Sequence, residues 1–94
     1  MTYIITFELY SPIRDYTKFY DAIKACGEIF QAFKNVIIVK VADVKIIPNV
    51  DVFATYLSQY LDHSDKLLIY SITGKRPNGM MTNEAWGWLN SHIN

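Results

Sequence analysis

Glu28-Ile29-Phe30-Gln31-Ala32-Phe33-Lys34-Asn35-Val36-Ile37-Ile38-Val39-Lys40-Val41-Ala42 holds two runs of strand-forming residues joined by a polar pair. Val36–Ala42 is dominated by β-branched residues, which fit a pleated, half-buried surface. Asn tolerates positive φ, so the Lys34-Asn35 junction predicts a tight hairpin. On its N-terminal side the period changes. Tyr16, Phe19, Tyr20, Ile23 and Cys26 fall at helical spacing and predict an apolar stripe over residues 15–26. Asp15 is placed to cap that helix and Gly27 to end it. Before it, residues 2–10 alternate, with Tyr3, Ile5, Phe7 and Leu9 on one side and Ile4, Thr6 and Glu8 on the other. That is a strand, which Ser11-Pro12 closes.

On the C-terminal side, Asp43–Pro48 reads as either a strand extension past a bulge or an edge segment stopped by Pro48. Asn49 then caps a second helix running to about Leu61, with Val50, Phe53, Leu57 and Tyr60 on its stripe. Asp62-His63-Ser64-Asp65 is a polar turn. Lys66–Thr73 is nearly continuous in apolar character, as expected of a central strand. Gly74–Gly79 is a loop, and Thr82 caps a last short helix with Glu84 in its first turn. The order is β-α-β-β-α-β-α. It predicts one α+β domain over residues 1–94, a ferredoxin-like βαββαβ sandwich. A four-stranded antiparallel sheet carries two helices on one face, with a short C-terminal helix added. The second face has at most that helix to cover it, which predicts a homodimer.

The 94 residues carry nine basic and nine acidic side chains, a net charge of +0. Nucleic-acid binding draws most of its affinity from Lys and Arg on phosphates, so neutrality argues against a large nucleic-acid footprint. Cys26, the one cysteine, excludes an internal disulfide and fits a reducing cytoplasm. The N-terminal apolar run is too short to span a membrane.

Individual residues carry weak chemical signals. Glu8 is a candidate metal ligand or general base, and equally a solvated residue paired with a Lys. Asp62, His63 and Asp65 form a ligand-rich triplet, but residues on one short turn rarely converge on an ion, and an ordinary connection accounts for them. His92 reads as an exposed terminal residue. Cys26 falls on the buried stripe with no base beside it. Ser11 and Thr17 lack a nucleophile elbow, and Gly74–Gly79 lacks P-loop spacing. Lys75 and Arg76 form a basic loop tip suited to an acidic partner. Trp86 and Trp88 are two apart, so a helix cannot turn both toward one core. One of them, Trp88, is expected outside or against a partner. With Tyr10, Tyr56 and Tyr70 they mark an interaction surface.

Tyr3–Leu9, Pro12, Arg14-Asp15-Tyr16, Phe19–Lys24 and Gly27 together resemble the opening of the SinR-like proteins. These are small bacterial and phage relatives of the second CRISPR-associated protein and the VapD-type ribonucleases. Tyr60–Ile69 and Glu84–Leu89 are similar to later parts of the same group. The resemblance implies a ferredoxin-like homodimer. In nuclease members an Asp ends the first strand and holds a divalent metal with its dimer mate; Glu8 stands there in this chain. The longer side chain moves the carboxylate by about a bond length, against a tolerance of about 0.5 Å in catalytic constellations. The leading expectation is therefore a non-enzymatic, homodimeric binding protein without a cofactor, its protein partner met by Tyr10, Lys75, Arg76, Trp86 and Trp88. A phage-encoded inhibitor of host defence is a specific form of it. The alternatives are an endoribonuclease or DNase using Glu8 and Mg²⁺, and a small-ligand sensor with its site at the dimer seam.

Overall fold

The computed structural model describes residues 1–11 and 15–93. The Pro12 stop and Arg14 lie outside the described residues. The elements are β1 (Thr2–Glu8), α1 (Thr17–Ala25), β2 (Gly27–Phe33), β3 (Val36–Val41), α2 (Val50–Ser58), β4 (Lys66–Ser71) and α3 (Asn83–His92). The strands form one sheet in the order β2-β3-β1-β4. Every neighbouring pair is antiparallel.

Side chains alternate across a strand, so odd and even positions of β1 face opposite ways. Tyr3, Ile5 and Phe7 meet Phe19 and Ile23 of α1 and Phe53 and Leu57 of α2 in the main core. Tyr3 and Phe53 pack edge to face at 5.1 Å, and Phe7 and Phe19 at 5.5 Å. Such pairs contribute about 0.5–1.5 kcal/mol beyond their burial. Ile4 of β1 joins Ile38 of β3 on the other face, in a second cluster with Ile72, Trp86, Trp88 and Leu89.

The local chemistry explains the element ends. Asn49 accepts the Val52 N–H at 2.9 Å, and Thr82 accepts the Ala85 N–H at 3.1 Å. Asp15 acts from one position before the N-cap residue Tyr16, accepting from both the Thr17 N–H and its hydroxyl. α1 therefore starts two residues later than its stripe predicts. Residues 43–47 are a compact turn: the Asp43 carboxylate accepts the Lys45 N–H, and the Asp43 carbonyl accepts from Ile46 and Ile47. Ile47 is buried there while Ile46 stays 72% exposed. β4, expected as a central strand, is an edge strand; β1 and β3 are central. Its apolar run combines a face turned to the core, Leu67 and Ile69, with an exposed one, Leu68 and Tyr70.

Gly27 stands at the end of α1 as expected, directly after the C-cap residue, but without a positive φ, and its position is fixed by a second constraint. The chain passes from the C-cap residue Cys26 directly into β2, and a Cβ at Gly27 would stand 1.9 Å from the Lys40 carbonyl oxygen. Backbone cannot yield as a flexible side chain does. Gly27→Ala is expected to lower the unfolding free energy by about 3 kcal/mol through overpacking. Urea denaturation checks this. A loss under about 1 kcal/mol, the scale of backbone-entropy effects alone, would contradict the close approach.

Candidate functional site

The site begins with what α3 covers. Trp88 stacks on His92 at 3.9 Å, nearly parallel, and lies 5.8 Å from the Phe30 ring of β2. His92 Nδ1 lies 2.6 Å from the Trp88 carbonyl oxygen, and Nε2 lies 2.7 Å from Glu28 Oε2. The Thr2 hydroxyl donates to the His92 carbonyl, and the Gly74 N–H to that of Ile93 at 2.9 Å. Gly74 has φ 68°, a left-handed turn that brings its N–H under the helix end. These contacts hold α3 over β2, β3 and the start of β1. His92 is thus a fastening residue; the expectation of a free terminal histidine is corrected. Trp88, expected outside or against a partner, is half-buried against Phe30 and His92, and Trp86 is half-buried in the same cluster.

The other half of that sheet face carries Thr6 and Glu8 of β1 and Lys66, Leu68 and Tyr70 of β4. Leu68 is 69% exposed and Tyr70 62%. Tyr10 adds further exposed apolar surface there, while the exposed Phe33 and Met80 lie beside α3. Thr6, Glu8, Tyr10, Asn35, Val36, Lys66 and Leu68 line a shallow concavity of about 470 Å³. Glu8 and Lys66 are register partners. The Glu8 carboxylate accepts the Tyr10 hydroxyl, and the Thr6 hydroxyl donates to the Leu68 carbonyl at 3.0 Å.

As a cation site this set is poor. Hard divalent ions take six or more oxygens, several of them carboxylate. Among the described residues that line the concavity, Glu8 is the one carboxylate, with a lysine opposite. Among the described residues no three His, Cys, Asp or Glu side chains form a metal-holding group. Within one chain these residues do not fit Mg²⁺.

The remaining candidates lie elsewhere. Lys75 and Arg76 are exposed beyond the C-terminal end of β4, whereas Glu8 pairs with its first residue. A six-residue strand separates them by about 20 Å. Asp65 is structural: Oδ1 accepts from the Tyr10 N–H at 2.9 Å and the Tyr16 hydroxyl at 2.6 Å, and Oδ2 from the Asp62 N–H. Asp62 in turn accepts from the N–H and hydroxyl of Ser64. The turn before β4 is thereby tied to the segment after β1. Cys26 lines an apolar hollow of about 330 Å³ with Val41, Ile46, Ile47, Val52 and Tyr56. Burial pushes its thiol pKa up, and the thiol donates to the Ala22 carbonyl, so it is a poor nucleophile.

Leu68 and Lys66 escaped the sequence reading as site residues. Their signal was an apolar strand with no buried role for alternate positions, visible only once β4 is known to be an edge. No family model, curated protein or solved structure matches this chain.

Hydrogen bonds from Ser64 hold the Asp62 carboxyl below its ordinary value, and those from Thr17 do the same for Asp15. A folded pKa below the unfolded one adds stability above the ordinary Asp value of about 4, lost as pH falls through the folded value. Urea midpoints measured from pH 6 downward are expected to drop below about pH 4. The drop should be shallower in Asp15→Asn/Asp62→Asn; an identical slope would refute the assignment.

Proposed function

We propose that this chain is a small interaction protein of ferredoxin-like topology that works as a homodimer through the half of its sheet that α3 leaves open. The topology is supported by the strand order, with α1 joining β1 to β2 and α2 joining β3 to β4. The observation that carries the function is the exposure of Leu68 and Tyr70 side by side on a regular strand. Monomeric proteins seldom leave such apolar surface contiguous, and a second copy set beside β4 is the simplest neighbour for it. The charges agree. Glu8 and Lys66 stand opposite each other within one copy, so the patch presents no uncompensated charge to a second copy. Action by contact suits a protein inhibitor, the form expected from the sequence. The Lys75-Arg76 tip then remains free for an acidic partner.

A metal-dependent nuclease is the second reading, because Glu8 lies on the same open half and face-to-face pairing would bring two carboxylates together. Cleavage assays on RNA and DNA with Mg²⁺ or Mn²⁺ separate the readings. The interaction reading expects no activity that Glu8→Gln removes.

Sedimentation equilibrium tests self-association directly. The wild type is expected to be dimeric at high micromolar concentration, and Tyr70→Lys monomeric at least tenfold further up in concentration. A wild type that stays monomeric throughout would end the proposal. A dimer indifferent to Tyr70→Lys would move the interface elsewhere.

A further inference from the structure

Among the described residues, β4 has a strand on one side only. The Ile72 N–H donates to the Thr2 carbonyl at 2.9 Å, so Ile72 faces β1. In an antiparallel ladder, hydrogen-bonding direction alternates residue by residue. Tyr70 and Leu68 therefore also turn their backbone groups toward β1. Leu67, Ile69 and Ser71 turn theirs outward, to the open edge. Natural edges are blunted by charge, proline or a bulge. In β4 the one charge is Lys66, at its first residue.

The geometry points to a defined partner for this edge: β4 of a second copy, antiparallel, with the two-fold axis beside Ile69. This rests on the self-association proposed above and specifies its contact. The face argument fixes the register. A two-fold perpendicular to the sheet keeps each side chain on its own face, so paired residue numbers must be both odd or both even. Centring on Ile69 pairs it with itself and Leu67 with Ser71 of the second copy, using every outward group of the strand. On the open face, Leu68 then lies opposite Tyr70 of the second copy, and the reverse. Aliphatic–aromatic cross-strand pairs of this kind are favourable. Lys66 reaches the diagonal Tyr70 ring, a cation–π contact. Antiparallel pairing holds the two Lys66 charges at opposite ends, whereas a parallel pair would align them. Charge thus selects orientation, and the outward hydrogen bonds select register.

The arrangement extends the sheet to eight strands and has a chemical consequence. Each Glu8 sits beside Lys66, at opposite ends of the paired edge, with both β4 strands between them. The two carboxylates cannot share a cation. Edge pairing and a paired-Glu8 nuclease therefore exclude each other.

Cysteine cross-linking tests the register in a Cys26→Ser background. In the double variant Leu68→Cys/Tyr70→Cys, each new thiol faces its complement across a non-hydrogen-bonded pair, about 4.5 Å between Cα atoms. That is inside the disulfide range, whose upper limit is about 7 Å. Each single variant faces its own copy two residues out of register, beyond that limit. Mild oxidation should give at least tenfold more covalent dimer in the double variant than in either single. Ser71→Pro removes an outward N–H without touching the β1 ladder, and should yield a folded monomer by circular dichroism and sedimentation. Singles that cross-link as well as the double overturn the inference. So does a wild-type dimer that no variant cross-links, which leaves self-association standing by another surface. A wild-type monomer overturns both.

Discussion

A sheet whose central strands are apolar on both sides must be covered twice, and this constraint organises the molecule. In β1 and β3, Tyr3, Ile5, Ile37 and Val39 face α1 and α2 while Ile4 and Ile38 face away. The first layer is complete. The second is a single helix held by its C-terminal end, through Thr2, Glu28 and Gly74. Those fastenings set where α3 lies and how far it reaches. It closes the β2–β3 half and leaves β4 wet. Full burial of a Leu or aromatic side chain contributes about 1.5–3 kcal/mol. Leu68 and Tyr70 in two copies would give about 6–12 kcal/mol if fully buried, but lateral pairing covers only part of each and yields a fraction of that, about a few kcal/mol. Association costs about 4–15 kcal/mol in lost freedom. Apolar contact alone barely offsets the lower figure, so a stable pair also needs the hydrogen bonds of the strand edge.

The chemistry of the polar residues points the same way. Asp62 and Asp65 stand beside His63 in a pattern that invites a catalytic or metal story. Their oxygens are instead taken by backbone N–H groups and by Tyr16 and Ser64, which fix the turn entering β4. Their task is to set the position of the edge strand. Glu8 is the acid left facing the open half, and it is engaged by Tyr10 with Lys66 opposite.

The elements were legible from local signals because each carries its own. The hairpin at Lys34-Asn35, the caps at Asn49 and Thr82, and the stripes of α1 and α2 all depend on neighbours in sequence. What escaped depends on neighbours in space. Nothing around Gly27 announces that Lys40 passes against it. Leu67–Ile72 looks central because an edge strand with one buried face and one sticky face has the same composition as a strand buried on both. Trp86 and Trp88, expected not to share one core, both pack half-buried against the cluster of Ile38, Ile72 and Leu89, with Phe30 and His92 beside Trp88. Of the candidate binding residues, Glu8 and Tyr10 come together with the open half, Lys75 and Arg76 stand about a strand length away, and the tryptophans belong to the cover.

The account turns on the outward amides of β4. Residue-resolved hydrogen exchange at low and high protein concentration reads them one by one. Leu67, Ile69 and Ser71 are expected to exchange fast when dilute and slow as concentration rises, while Ile5 and Val39 in the sheet centre stay unchanged. Exchange at those three amides that is the same at every concentration would contradict the claim that a second copy completes the sheet.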